Sequence, residues 1–273
     1  MAAYRRDLAK FAAFLAGEDA TRPERIRPRH VTSFLREEVE RGRSGASTAR
    51  YLSAVRSFLK FLVDEGRIPS SAAETVESPA LWRRLPVVLS SGEVERLLTS
   101  PPGDTPLGLR DRALLEVLYA TGARASEAVG LSPEGVDLQT GYARVFGKGR
   151  KERIVPLGRA AIAAVRAYLE NGRPRLVIAQ DCGRLFVTRT GRPLGRERVW
   201  RIVRDCARAA GIAKAVHPHT LRHSFATHLL QGGADLRAIQ EMLGHANVKT
   251  TELYTHLDAS RLRSVHSKFH PRA

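Results

Sequence analysis

The sequence predicts a mainly helical protein with a small β-sheet, built in two parts. Three observations carry this. Apolar residues recur at helical spacing through most of the chain, as in "LRDRALLEVLYATGARASEAVGL". One stretch, "YARVFGKGRKERIVPLG", instead reads as two short strands rich in Val, Ile and Phe around a Gly-Lys-Gly turn. Finally, Pro79 and Pro86 interrupt "VESPALWRRLPVVLS" between two helical regions, as a linker does. The expected division is a helical domain over 1–78, a linker over 79–86 and a second domain over 87–273.

The elements follow in order. Tyr4, Leu8, Phe11 and Leu15 form the stripe of a first helix. "RPRHVTSFLREEVERG" predicts a second helix, stopped at Gly42. "SGASTARYLSAVRSFLKFLVDEG" predicts a third, capped by Ser47 or Thr48 and ended by Gly66. Leu52, Val55, Leu59 and Leu62 would face its core, leaving Arg50, Arg56 and Lys60 on another face. Past the linker a helix starts at Ser91, and the next helical run breaks at Gly122. After the hairpin, helices are expected over about 158–171, 196–210, 220–231, 235–243 and 248–256. The closing "DASRLRSVHSKFHPRA" carries Leu262, Val265 and Phe269 on one amphipathic face.

Charge is the strongest bulk signal. The 273 residues hold 45 Lys plus Arg against 28 Asp plus Glu, a formal net charge of +17. Of the basic residues 38 are arginines, which grip phosphate in a two-pronged way. A GC-rich genome would also enrich Arg, so the total charge points to a nucleic-acid partner more firmly than the Arg share does. The basic face of Arg50, Arg56 and Lys60 suits a DNA groove, or simply solvent. Cys182 and Cys206 form no disulfide framework and no CxxC motif. No apolar run has the length of a membrane span, and Asp7 and Lys10 interrupt any leader-like core near the N-terminus. A reduced, cytoplasmic setting is expected, with no membrane partner.

The stretch "HPHTLRHSFATHLL" gathers His219, Arg222, His223 and His228 on one predicted helix. His219 and His223 have a spacing that can chelate zinc. Yet no HExxH motif, carboxylate on that face or cysteine pair accompanies them, so no metal is expected. "GKGRK" lacks the GxxxxGK[ST] pattern, so no nucleotide cofactor is expected either. Phosphate chemistry collects more residues. "TGARASE" sets Arg124 at a helix start behind a glycine break. "GKGRKER" sets Lys148 on the hairpin turn, and His219 and Arg222 lie three apart on one helical face. In "LGHANVKTTELYTHL", His245 follows Gly244 at a helix end, and Asn247 can cap a helix carrying Tyr254.

The ordered set Arg124, Lys148, His219, Arg222, His245 and Tyr254, in these contexts, resembles the tyrosine recombinases, the class of lambda integrase and Cre. "GKGRKERIVPLG", "HTLRHSFATHLLQGGADLRAIQEMLGHANVKTTELYTH" and "HPRA" resemble the bacterial Xer recombinases over nearly the whole length. Xer proteins begin about one helix earlier, which implies a start upstream of Met1 or a shortened chain. The resemblance implies a SAM-like helical core-binding domain followed by a catalytic domain with a tail that docks on a neighbouring protomer. It implies a site-specific recombinase resolving chromosome or plasmid dimers, without metal or ATP. The partners implied are a duplex recombination site, a tetramer with itself or a paralogous recombinase, and a DNA translocase.

Roles follow from the same resemblance. Tyr254 attacks a phosphodiester to form a 3′-phosphotyrosyl link, and the link stores the bond energy until a 5′-hydroxyl religates it. Arg124 and Arg222 hold the non-bridging oxygens, with His245 as a further donor. Lys148 protonates the leaving 5′-oxygen, and His219 is the acid/base partner of the tyrosine. Glu127 supports and orients the site. Lys151 and Arg153, sharing the hairpin with Lys148, are expected on backbone phosphate. Tyr119 and His228 read as core residues, and His223 as a structural neighbour of the site. Rival readings are a mobile-element integrase of the same class, a type IB topoisomerase, and a DNA-binding protein without catalysis.

Overall fold

The computed structural model describes residues 2–77, 87–147, 152–178, 180–244 and 256–273, apart from the side chains of 2–3 and 256–259. The chain divides into two compact units, Met1–Leu85 and Pro86–Ala273. The expected linker, the hairpin turn and all of the expected 248–256 helix but its last residue lie outside the described residues.

The first unit is built on α1 (Ala2–Gly17), α2 (Pro28–Glu40) and α3 (Gly45–Asp64). Phe11 and Leu15 of the predicted stripe are buried, while Tyr4 is exposed. Phe34 of α2 gathers the aromatic core, with ring centroids 5.2 Å from Phe11, 5.7 Å from Phe14 and 5.9 Å from Tyr51. From α3, Leu52, Val55 and Leu59 are buried and Leu62 packs beside them. The cap of α3 differs from expectation. Ser44, in extended backbone, accepts the Ser47 N–H at 3.3 Å. The helix thus begins three or four residues earlier, and Ser47 and Thr48 lie in its first turn, where their N–H groups need an acceptor.

The second unit holds eight described helices and one sheet. The helices are α4 (Ser91–Thr99), α5 (Pro106–Thr121), α6 (Ala125–Ala128), α7 (Arg159–Ala167), α8 (Arg196–Ala209), α9 (Pro218–Gly232), α10 (Leu236–Leu243) and α11 (His256–Phe269). Ser90 and Glu93 close a capping box at the start of α4. Helix α5 is buried at every position from Ala113 to Thr121, which requires neighbours on all sides; α4, α7 and α9 supply them. Helix α7 is shorter than expected because Tyr168–Gly172 widen into a π-helical turn.

The antiparallel sheet has the order β1 (Val136–Asp137), β2 (Tyr142–Phe146), β3 (Glu152–Pro156). The predicted hairpin is β2–β3, in the register Tyr142↔Pro156 to Phe146↔Glu152. The two-residue strand β1 is an addition to it. In this single chain the closing apolar stripe lies against its own unit: Leu262 is buried, and Val265 and Phe269 pack on the same core. His266 Nε2 lies 3.0 Å from the Ala120 carbonyl of α5, and Arg272 pairs with Glu116 and Glu95.

Candidate active site

Gly122 ends α5 in left-handed backbone, φ 58°. A Cβ there would lie 2.6 Å from a Phe225 ring carbon and 2.8 Å from Leu243, so only glycine fits this close passage. The turn it makes delivers Arg124 to the N-cap of α6. Glu127, one turn on, accepts the Arg124 backbone N–H at 2.8 Å and its guanidinium at 2.8 Å. The Arg124 side chain stays two-fifths exposed, so it is braced from below and open above.

Arg222 comes from the second turn of α9 and is buried. One guanidinium nitrogen donates to the Gly122 carbonyl at 2.6 Å and the other terminal nitrogen to the Leu243 carbonyl at 2.7 Å. Burial, then the charges of Arg124 and Arg153, lower its pKa to about 10. It is still a cation at neutral pH. Its two partners are the end of α5 and the C-terminal carbonyl end of α10, where a cation is favoured by the helix dipole.

Glu127 ties the set together. Burial alone would raise its carboxyl pKa, but Arg153, and then Arg124, outweigh this and leave it lowered. Arg153 donates to both Glu127 oxygens, at 3.1 and 2.8 Å, and its Nε donates to the Met242 carbonyl at 2.8 Å. This corrects the expectation for Arg153. It is 4% exposed and spends its guanidinium inside the protein, so it is a brace and does not face DNA phosphate. The strand pattern holds the reason: Arg153 and Val155 share the inward face of β3.

His219 lies on the first turn of α9, exposed, one turn before Arg222. Its pKa is lowered by burial of part of the ring, then by Arg222, His223 and Arg124. An imidazole kept neutral in this way can accept a proton. His217 caps α9, with Nδ1 accepting the Thr220 N–H at 3.2 Å. Sequence reasoning did not anticipate Trp200 of α8, whose ring stacks on His217 at 5.0 Å and meets His219 edge-on at 6.1 Å. The only signal was a large aromatic on a strongly basic, amphipathic helix.

Tyr119 and His228, read as core residues, are buried, whereas His223 is exposed. Tyr119 is fully buried, its hydroxyl 2.7 Å from His228 Nδ1, and His228 Nε2 lies 2.9 Å from the Leu89 carbonyl. Burial drives the Tyr119 phenol far above its ordinary pKa. In the first unit, Arg50 pairs with Asp7 at 3.1 Å and Arg56 donates to the Ala73 and Val76 carbonyls, while Lys60 is exposed. Lys148, Lys151, His245, Asn247 and Tyr254 lie outside the described residues. Among the described residues no group of three or more His, Cys, Asp or Glu side chains is arranged to hold a metal ion. No described helix is long and apolar enough to cross a membrane.

Residues 88–261 match the phage integrase family model, and residues 1–66 match the phage integrase N-terminal SAM-like domain. A tyrosine recombinase XerD from Halalkalibacterium halodurans is 46% identical over 99% of this chain and 91% of its own length. One from Chlorobaculum tepidum is also 46% identical, over 99% and 90%. The structure of the XerH site-specific recombinase bound to palindromic difH, a post-cleavage complex, superposes with a TM-score of 0.76 at 27% identity. That match covers 97% of this chain and 78% of the XerH chain. The chain therefore belongs to the phage integrase family, as a site-specific tyrosine recombinase of the Xer group that cuts and rejoins DNA.

Proposed function

We propose that this recombinase resolves chromosome or plasmid dimers at segregation, using Tyr254 as nucleophile and the Arg124–Arg222–His219 cluster as its phosphate site. The observation that carries the reading is the forced proximity of two guanidinium groups. Arg222 is buried and donates to the Gly122 carbonyl, two residues before Arg124; burial first, then the charges of Arg124 and Arg153, lower its pKa. Glu127 pairs with Arg124 and Arg153, but Arg222 donates to backbone carbonyls, so among the described residues no carboxylate is hydrogen-bonded to its charge, and a further anion is favoured there. A scissile phosphate is such an anion, and its charge grows in the transition state, where two fixed cations act most strongly.

A free phenol has a pKa of about 10, so Tyr254 needs an acceptor for its proton; neutral His219 provides one. Lys148 protonates the departing 5′-oxygen and His245 adds a donor to the phosphate. Glu127 and Arg153 position the arginines without touching substrate. Arg50, Arg56, Lys60 and Lys151 are proposed on the DNA backbone. The active assembly is a tetramer on two duplex sites, with itself or a paralogue, in the cytoplasm under a DNA translocase. The closing helix and tail exchange contacts between protomers in that assembly.

The test is a labelled, nicked duplex carrying a chromosome-dimer-resolution site, incubated with the protein in excess EDTA and run on a denaturing gel. A protein-linked band that is lost in Tyr254→Phe is expected. A band that persists in Tyr254→Phe, or that requires added divalent metal, overturns the mechanism.

A further inference from the structure

Among the described residues no hydrogen bond orients the His219 ring. What touches it is aromatic: the Trp200 ring at 6.1 Å and 65°, and the His217 ring at 6.1 Å and 74°, both edge-on. Trp200 and His217 in turn lie nearly parallel, 5.0 Å apart and 29° from coplanar. Three rings thus close a triangle, with His219 and Trp200 at its exposed corners and His217 half-buried between them.

His217 is a notable choice of cap. Serine, threonine, aspartate and asparagine are the usual N-cap residues, being small acceptors beside the first N–H groups. A histidine does the same work here through Nδ1, which takes the Thr220 N–H and lies 3.2 Å from the Thr220 hydroxyl. That contact fixes both the ring plane and the tautomer, because Nδ1 must be the unprotonated nitrogen. The cap is therefore also a flat, fixed platform, and Trp200 uses it. Trp200 remains 43% exposed, far more open than the core aromatics, so core packing alone does not account for its place.

We infer that Trp200 and His217 are positioning residues for His219, a two-ring splint that holds its imidazole in the orientation for proton transfer. The inference rests on the reading of His219 as acid/base partner of Tyr254. The splint acts without a hydrogen bond to His219, which leaves both its nitrogens free of fixed partners among the described residues. Part-burial of the His219 ring favours the neutral imidazole, and the Trp200 ring is among the groups that pack beside it. Besides burial of part of the ring, the described charged and titratable groups acting on His219 are Arg222 and His223 from α9 and Arg124 from the start of α6. All disfavour its protonation, and α8 contributes the Trp200 ring.

The experiment measures single-turnover formation of the covalent complex on the nicked dimer-resolution duplex, from pH 5 to pH 8. The variants are Trp200→Ala, Trp200→Phe, His217→Ser and His219→Ala. His217→Ser keeps a good cap and deletes the platform. Trp200→Ala and His217→Ser are each expected to slow cleavage about 10-fold, with little change in DNA affinity. Their acid limbs should move to higher pH, since a more hydrated His219 is protonated sooner. Trp200→Phe should restore both rate and limb, and combining Trp200→Ala with His217→Ser should add little to either. An unchanged rate and profile in Trp200→Ala overturns the inference, as does slowing with an unmoved acid limb. If His219→Ala itself cleaves like the parent protein, the underlying reading of His219 fails, whatever Trp200 does.

Discussion

Arg153 and Glu127 form a two-pronged ion pair inside the catalytic unit, with contacts of 2.8 and 3.1 Å and both side chains at most 5% exposed. The same Glu127 holds Arg124, so a residue that never reaches solvent governs one that must. Removing one partner of a buried pair leaves an uncompensated charge, with a typical loss of about 3–5 kcal/mol. Arg153→Ala is therefore expected to lower the urea-unfolding stability by about that much. Its DNA binding, measured where the protein is folded, should keep the parent salt dependence. A contact to phosphate would instead reduce the log–log slope by about 1. The pair also sets an acid limit. The lowered folded pKa of Glu127 means its contribution is complete above the unfolded value of about 4.3 and is lost as pH falls through the folded one.

His266 predicts a second pH effect, in a higher window. It is buried against Phe225 and stacked on His270 at 4.3 Å, and burial lowers its pKa to about 4. Between about 6.5 and 4 the unfolded chain binds a proton that the folded one refuses. Stability is thus full above pH 6.5 and falls through that window, by roughly 3 kcal/mol from this group. Urea midpoints measured from pH 7 to pH 4 should show the decline. His266→Gln should make it shallower, with His270, also held well below its ordinary pKa by burial, keeping part of the slope, at some loss of stability at pH 7.

Tyr119→Phe separates a core tyrosine from the nucleophile. It removes the hydroxyl 2.7 Å from His228 Nδ1 and leaves a buried ring nitrogen unsatisfied. The expected loss is about 1–3 kcal/mol in thermal or urea unfolding. Covalent-complex formation on nicked DNA should continue, in contrast to its abolition in Tyr254→Phe. Loss of the covalent band in a folded Tyr119→Phe protein would contradict this assignment.

Gly122→Ala should harm folding and chemistry together. The methyl would fall within 2.6 Å of the Phe225 ring, at a backbone φ of 58° that alanine disfavours. Overpacking and strain of this kind lower stability by about 1–3 kcal/mol each. The carbonyl that Arg222 holds moves with the turn. A fall in cleavage rate of about 100-fold is expected in single-turnover assays, comparable to the loss of one transition-state donor. Arg222→Lys should show the same rate defect with a smaller stability change. An ammonium keeps the charge but cannot span two carbonyls and a phosphate.

Helices were the most legible feature, because a 3.6-residue stripe is written directly into the order of residues: the starts at Ser91 and the break at Gly122 could be placed from sequence. Strand β1 could not, since a two-residue strand has no period to detect. The cap of α3 slipped because three hydroxyl residues, Ser44, Ser47 and Thr48, compete within one turn and only backbone geometry chooses among them. Arg124, Glu127, His219 and Arg222 could be gathered from motif order, and the fold places Arg222 within electrostatic reach of the other three. The direction of each guanidinium was not legible. Arg153 sits on a strand whose alternate residues face inward, but its charge outweighed its register in the reading. Trp200 was missed because its importance lies in a contact across helices, with no counterpart in local spacing.

Leu89, near the start of the second unit, is gripped by both of its backbone groups. Ser224 Oγ accepts its N–H at 2.9 Å, and His228 Nε2 meets its carbonyl at 2.9 Å. Ser224 and His228 stand one helical turn apart on α9, the helix that bears His219 and Arg222. Leu89 is thus tied to α9 itself, like a rope belayed to the mast that carries the sail. A displacement of Leu89 therefore works directly on the helix that carries His219 and Arg222.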